Sequence, residues 1–370
     1  NIGAGRPGIA YQARQLGLAF NAVLGVIMSL FLSLGAGTIL SGVGVADALM
    51  QPAKTYLQIV GGFCILNALI PICSSYLRAF GFSKEPLYAS IIGNVINFCL
   101  NAFFLFVLHK GVAGVATATV ISRIINLVIV VLLGAVLVKA KQHPERESNR
   151  AVMGQIIRIG LPSACETAIY NVSMTLVIRF LNQMDAQGLN VTARSYTMQI
   201  TNFSYCVGAA LAQANAIMTG WHIGAKEYDA CDRGTKKAAV IGVIVAVILE
   251  TVFTLCSGWI MQLFSKDPQM VSLVGKLLAI DIVLEIGRVT NLVYGQALKT
   301  SGDAVFPVVM GACFMILCSV GGTYLFGIRL GLLAVGAYIG MTGDECVRAV
   351  GMYLRWKSGK WKEKGLVKSR

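Results

Sequence analysis

Six acidic residues stand inside long apolar runs: Glu166, Glu250, Asp281, Glu285, Asp344 and Glu345. A carboxylate in such surroundings has two chemical uses. It can pair with a base, or it can take up and release a proton or small cation as its environment changes between dry and wet. All six lie from residue 166 onward. The first half carries Arg123 and the amides Asn67, Asn94, Asn97 and Asn101 at comparable positions.

Spacing sorts these residues. Glu166 follows Pro162 by one helical turn, and Ser163, Glu166, Tyr170 and Ser173 repeat at 3-4-3 intervals, so one helix face carries a polar stripe. Such a carboxylate can be contested between Na⁺ or a proton and a cationic ligand; the plainer reading is a carboxyl that caps or hydrates its helix. Asp281, Glu285, Arg288 and Asn291 also share a face, and Glu285 with Arg288, three apart, is expected to form an ion pair. That pair either meets a ligand or simply holds two helices together. Glu250 and the Asp344/Arg348 pair read as structural. Asn97, Asn101 and Thr119 have the chemistry of interhelical hydrogen bonding.

The elements that position them are helices in a membrane. Hydrophobic residues make up 56% of the 370 and charged ones 13%, with a mean hydropathy of +0.71. A soluble domain needs about a quarter of its residues charged. The sequence therefore predicts an all-α polytopic membrane protein. About ten helices are expected, at 16–41, 53–77, 86–108, 112–138, 155–182, 194–221, 236–264, 270–298, 304–328 and 331–355.

Lys and Arg alternate between connectors. One set holds Arg6/Arg14, Arg78/Lys84, Lys139/Lys141/Arg146/Arg150, Lys226/Arg233/Lys236/Lys237, Lys299 and the tail; the other is sparse. The positive-inside rule puts the rich set and both chain ends in the cytoplasm of a cell-membrane protein. The net charge of +14 lies in these short connectors, not on a basic face, so anionic lipid is the expected counter-charge and nucleic acid is not. Expected domains are an N-lobe over 1–140, a linker over 141–154, a C-lobe over 155–355 and a basic tail over 356–370. Within the tail, Trp356–Lys364 is expected to anchor at the membrane interface.

The sequence repeats. Ile2-Gly3-Ala4 recurs 221 positions on as Ile223-Gly224-Ala225, and the same offset pairs Leu57 with Leu278, Ile59 with Ile280, Leu77-Arg78 with Leu298-Lys299, Gly81 with Gly302 and Pro86 with Pro307. Parallel repeats about an axis along the membrane normal follow. The second copy has two spans before its Ile-Gly-Ala and the first has none, so roughly 70 further residues are expected upstream of a twelve-helix protein.

In this order and spacing, the motifs resemble the multidrug and toxic compound extrusion transporters of bacteria, along the whole chain. Asn1-Ile-Gly-Ala-Gly-Arg6 is similar to the loop after their second helix and Ile223-Gly-Ala-Lys-Glu-Tyr228 to that after the eighth. Gly160-Leu-Pro-Ser163 with Glu166 resembles the start of the seventh helix. Gly287-Arg288 with Asn291, then Ala297-Leu-Lys-Thr-Ser-Gly-Asp303 and Pro307, resembles the tenth and its loop. Gly114-Val-Ala-Thr-Ala-Thr119-Val-Ile-Ser122 is similar to the sixth. The resemblance implies two six-helix lobes in a V around a central cavity, acting as a monomer that exports small organic cations as Na⁺ or H⁺ enters, with no cofactor beyond that ion. It assigns cation sites to Asn97, Asn101 and Thr119; together with the two polar faces above, the expected substrate- or cation-binding residues are Glu166, Tyr170, Glu285, Arg288, Asn291, Asn97, Asn101 and Thr119, with a Na⁺ near Glu166. Asn101 stands where the family has Asp, so a proton is not carried there.

Other classes fit less well. A flippase of lipid-linked or polysaccharide precursors, within the same superfamily, would carry more cations in its cavity to meet phosphates. An intramembrane enzyme needs a nucleophile–base or metal constellation, yet no HExxH or GxSxG occurs and His109, His143 and His222 fall in or near connectors. The ten cysteines show no metal-site spacing. Gly3-Ala-Gly5-Arg6-Pro-Gly8 lacks the strand and Lys-Ser/Thr of a phosphate loop and reads as a tight turn.

Overall fold

The computed structural model describes residues 1–43, 45–139, 145–185 and 187–365, with no β-strand among them. Lys141 and His143 of the expected linker, and the last five residues of the tail, lie outside the described residues. The rest form ten rods. The first is α1 (Pro7–Leu34), continued past Gly35 by α2 (Ala36–Val43). The second is α3 (Asp47–Gly62) and α4 (Ile65–Ala79), bent by 42° at the break. Then follow α5 (Lys84–Ala102) with a π-helical end at Phe103–Val107, α6 (Gly111–Leu137), α7 (Asn149–Met184) and α8 (Leu189–Gly224). The last four are α9 (Tyr228–Leu255) with the short α10 (Ser257–Met261), α11 (Pro268–Thr300), α12 (Val305–Phe314) with π-helical segments at Met315–Val320 and Thr323–Arg329, and α13 (Leu333–Lys357).

The chain divides into two compact units, Asn1–Ile2 with Arg6–Ile156, and Gly3–Gly5 with Ile157–Arg370. In the first, α1 packs on α3 and α4, and α6 on α3, α4 and α5. A small core of Cys73, Tyr76, Leu77, Ala89, Val130 and Val138 joins them. In the second, α11 is the central rod, in contact with α8, α9 and α13. Large apolar side chains such as Phe98, Phe106, Leu255 and Leu34 are exposed, which hydrocarbon tolerates and water does not.

The internal repeat is visible in the backbone. Gly5 and Lys226 both take left-handed φ, at 70° and 63°, and each closes a 6→1 bond, Arg6 N to Asn1 O at 2.9 Å and Glu227 N to His222 O at 2.8 Å. Gly81 and Gly302 repeat the pattern, with Phe82 N to Leu77 O and Asp303 N to Leu298 O both at 3.0 Å. Farther on the copies differ in length by one residue. Leu108 N bonds Phe103 O at 3.1 Å, and the equivalent Leu330 N bonds Leu325 O at 2.9 Å, now 222 positions apart.

The ten rods differ in polarity. Among the described residues, five helices are individually long and apolar enough to cross a membrane (α1, α5 with its π end, α6, α9, and α12 with its π segments), and the bent α3–α4 pair makes a sixth. The remaining rods, α7, α8, α11 and α13, are as long but more polar. Much of that polarity is turned inward, because Arg194, Asp281, Glu285, Asp344, Glu345 and Arg348 are all buried within the unit. One expectation needs correction: the tail is not an aromatic belt. Trp356 and Trp361 are each 1% exposed, stacked with ring centroids 4.1 Å apart. Trp356 Nε1 donates to Asp232 of α9 at 2.9 Å and Trp361 Nε1 to the Trp356 carbonyl at 2.9 Å. Their indole N–H groups find partners inside the protein, so headgroups are not needed.

Candidate functional site

The site lies where α11 meets α13. Asp267 starts α11, accepting from Gln269 N at 3.0 Å ahead of Pro268. Its inward face then presents Asp281, Glu285, Arg288 and Asn291. Gly287 lets the two helices close: a Cβ there would sit 2.9 Å from Cys346 N and from the Glu345 carbonyl carbon. Polar faces at that distance must satisfy one another.

They do so in a chain. Arg288 Nη1 pairs with Glu285 Oε1, and Arg288 Nε lies 3.6 Å from Glu345 Oε1. The same Glu345 oxygen meets Arg348 Nη2 at 3.0 Å, while its other oxygen accepts from Asn291 Nδ2 at 3.1 Å. Arg348 grips Asp344 with two bonds, of 2.7 and 2.9 Å, and Ser319 Oγ donates to Asp344 at 2.9 Å. Such bidentate charge-assisted contacts are strong and directional. From α7, Glu166 Oε2 lies 2.6 Å from Lys299 Nζ in the last turn of α11.

Two cavities flank this network within the second unit. One, of about 230 Å³, is walled by Tyr170, Tyr205, Tyr338, Met174, Met198 and Met341, with Arg194, Asp281, Arg288, Asp344 and Glu345 as its charged groups. The other, of about 500 Å³, is lined by Ser163, Glu166, Thr167, Asn171, Asn291, Lys299 and Arg348 among others. Tyr170, Tyr205, Arg288 and Glu345 border both. Asp281 Oδ2 is buried without a hydrogen-bond partner.

The residues singled out from sequence divide accordingly. Glu166, Tyr170, Arg288 and Asn291 line the larger cavity. Glu285 stands behind them, fully buried and paired to Arg288. Asn97, Asn101 and Thr119 belong to the other unit. There Asn101 Nδ2 donates to Asn97 Oδ1 at 3.1 Å and the Thr119 hydroxyl donates to its own helix at Val115 O, 2.9 Å away. A Na⁺ at Glu166 would have to displace the Lys299 ammonium. Among the described residues no group of three or more His, Cys, Asp or Glu is arranged to hold a metal ion. Sequence reasoning missed Lys299, placed among connector cations, and Glu345 as the shared acid. The i, i+3 spacing of Glu345 and Arg348 was a signal for the latter; nothing local marked the former.

Comparison with known proteins places the chain. The family model described as MatE matches residues 1–103 and 162–325. The uncharacterized transporter YisQ of Bacillus subtilis is 32% identical over 364 residues, which is 97% of this chain and 80% of that protein. A probable multidrug resistance protein NorM of Thermotoga maritima is 22% identical over 362 residues, 92% of this chain and 76% of its own. In fold, the chain matches the crystal structure of the eukaryotic MATE transporter AtDTX14 with a TM-score of 0.84 at 18% identity, covering 98% of this chain and 83% of that one. A MATE in the straight conformation gives 0.81 at 19% identity, covering 98% and 84%. Members of this family are transporters rather than enzymes, and a helical bundle with a charged, cavity-lined interior is what a transporter requires. The chain belongs to the MatE family of multi-pass membrane transporters.

Proposed function

We propose that this protein exports lipophilic organic cations in exchange for an entering Na⁺ or H⁺, with the substrate held in the second unit by Asp281, Glu345 and Glu166 against Tyr170, Arg288 and Asn291. The protein works in the plasma membrane with both ends in the cytoplasm, the first unit serving as N-lobe and the second as C-lobe. The observation that carries this reading is the smaller cavity: three tyrosines and three methionines line it together with Asp281, whose buried Oδ2 lacks a partner. Aromatic faces attract cations, methionine walls adapt to varied shapes, and an unpartnered buried carboxylate gains most from a positive ligand. The multidrug names of several relatives accord with it. Arg288 and Arg348, which share the walls, pair with Glu285, Asp344 and Glu345, so a ligand competes for Asp281 and Glu345 without collapsing the network.

A second reading has one observation in its favour. Arg194, Arg288, Lys299 and Arg348 also line the cavities, as a carrier of phosphate-bearing lipid precursors would need. Proteoliposomes decide between them. Gradient-driven export of tetraphenylphosphonium supports the cation exporter. Tight binding of an isoprenoid diphosphate with no movement of tetraphenylphosphonium under either a Na⁺ or a H⁺ gradient overturns it.

A further inference from the structure

Glu250 of α9 borders neither cavity, yet it is fully buried and both its carboxylate oxygens lack a hydrogen-bond partner. Among the described residues, the groups that act on it electrostatically are Asp281, Glu285 and Arg288 of α11 and the Ser204 hydroxyl of α8, both helices being packed against α9. α10, which also packs on α9, carries no charge. Arg288 is already engaged by Glu285 and Glu345. The unit buries six acids among its described residues; Asp303 is paired with Arg355, and the other five, Glu250, Asp281, Glu285, Asp344 and Glu345, stand against the buried Arg194 and Arg348 and the half-buried Arg288. Two negative charges are left over; Asp281, on the wall of the smaller cavity, can carry one, and Glu250, away from both cavities, is too costly to stay ionised unless an arriving cation offsets its charge.

We infer that Glu250 is a proton store for the transport cycle, behind the substrate cavity, exchanging its proton with that cavity through Asp281. Asp281 is the link because it is the strongest charge acting on Glu250 from the neighbouring α11 and lines the smaller cavity, with one oxygen, Oδ2, unpartnered. In one direction the O–H bond of Glu250 breaks, the proton passes to the Asp281 carboxylate and from there to cavity water, as one monovalent organic cation arrives and balances the charge. In the other direction the cation leaves and a proton from water returns to Glu250. This rests on the export reading above and adds to it: the coupling ion is H⁺, and its reservoir is separate from the groups that touch substrate.

The test uses the whole chain in proteoliposomes with tetraphenylphosphonium as probe, reading equilibrium binding, protons released on binding, and export driven by a pH gradient. For Glu250→Gln, binding is expected to stay within about twofold while proton release and pH-driven export fall by about tenfold or more. Wild-type proton release and export in Glu250→Gln would overturn the proposal. Glu250→Asp guards against misfolding, since it keeps a carboxyl but withdraws it from α11. Its export is expected to persist with a displaced pH profile, and an unmoved profile would count against the idea equally. If the wild type exports the probe on a Na⁺ gradient and releases no protons, this inference alone fails. If the wild type neither binds nor moves the probe, the export reading fails with it.

Discussion

Lys299 Nζ lies 2.6 Å from Glu166 Oε2, tying the last turn of α11 to the polar stripe of α7 across the larger cavity. Both side chains keep a little exposure, 17% and 18%, so the pair is open to competition. Lys299→Met is expected to free Glu166 and tighten binding of a lipophilic cation several-fold, and Glu166→Gln to weaken it. The double variant should show a coupling of about 1–2 kcal/mol. Additive effects in a binding titration would mean that the two residues do not communicate.

Glu345 serves two arginines and Asn291. Glu345→Gln removes the shared negative charge and leaves Arg288 and Arg348 crowded, at an expected cost of about 3 kcal/mol. Thermal unfolding in detergent reads this directly. Replacing Asp344 and Arg348 together by Leu should be far milder, because both charges leave at once. A double variant as unstable as Glu345→Gln would contradict the network.

The tail makes a contrast that fluorescence can settle. With Trp356 and Trp361 stacked on each other and buried against α9 and α11, brominated lipid should quench them weakly. Trp361→Ala is expected to lose about 3 kcal/mol of stability. Strong quenching, with little loss on substitution, would restore the interfacial anchor expected from sequence.

Asp185 caps α8, accepting from Leu189 N at 2.8 Å and from Asn190 N at 3.0 Å. Burial pushes its carboxyl up, but the hydrogen bonds from Asn190, Leu189 and Gly188 outweigh this and hold it below the usual carboxylate range. A depressed value means that its contribution is present above the ordinary carboxyl range of about pH 4 and is lost as pH falls through the lowered one. Asp185→Asn should cost about 1 kcal/mol near neutrality, and the gap to wild type should close in acid. A gap that stays constant with pH would remove the charge from the explanation.

Much of the fold was legible because it is written in local signals. Apolar runs ending at charged connectors gave the ten rods, and the shared offset of Gly81 with Gly302 gave the repeat that the matching turns display. The Glu285–Arg288 pair followed from spacing on one helix face. What could not be read depends on distance in sequence. Glu166 and Lys299 belong to different helices, and a lysine at a helix end looks the same whether it meets lipid headgroups or a carboxylate. Trp356 posed the same ambiguity, because an indole N–H aimed at Asp232 has the composition of one aimed at a phosphate. The polar rods α11 and α13 were recognisable as helices, but their mutual burial was not.

The extra residue between Pro307 and Leu325 has a lasting consequence. In a regular helix one insertion turns every later side chain by about 100° and would scramble whatever lies beyond. The wide turns at Met315–Val320 and Thr323–Arg329 take up the surplus instead, so the corner at Leu330 still closes like the one at Leu108. Repeated halves built this way can differ in length inside a rod and still keep their joints and the bundle.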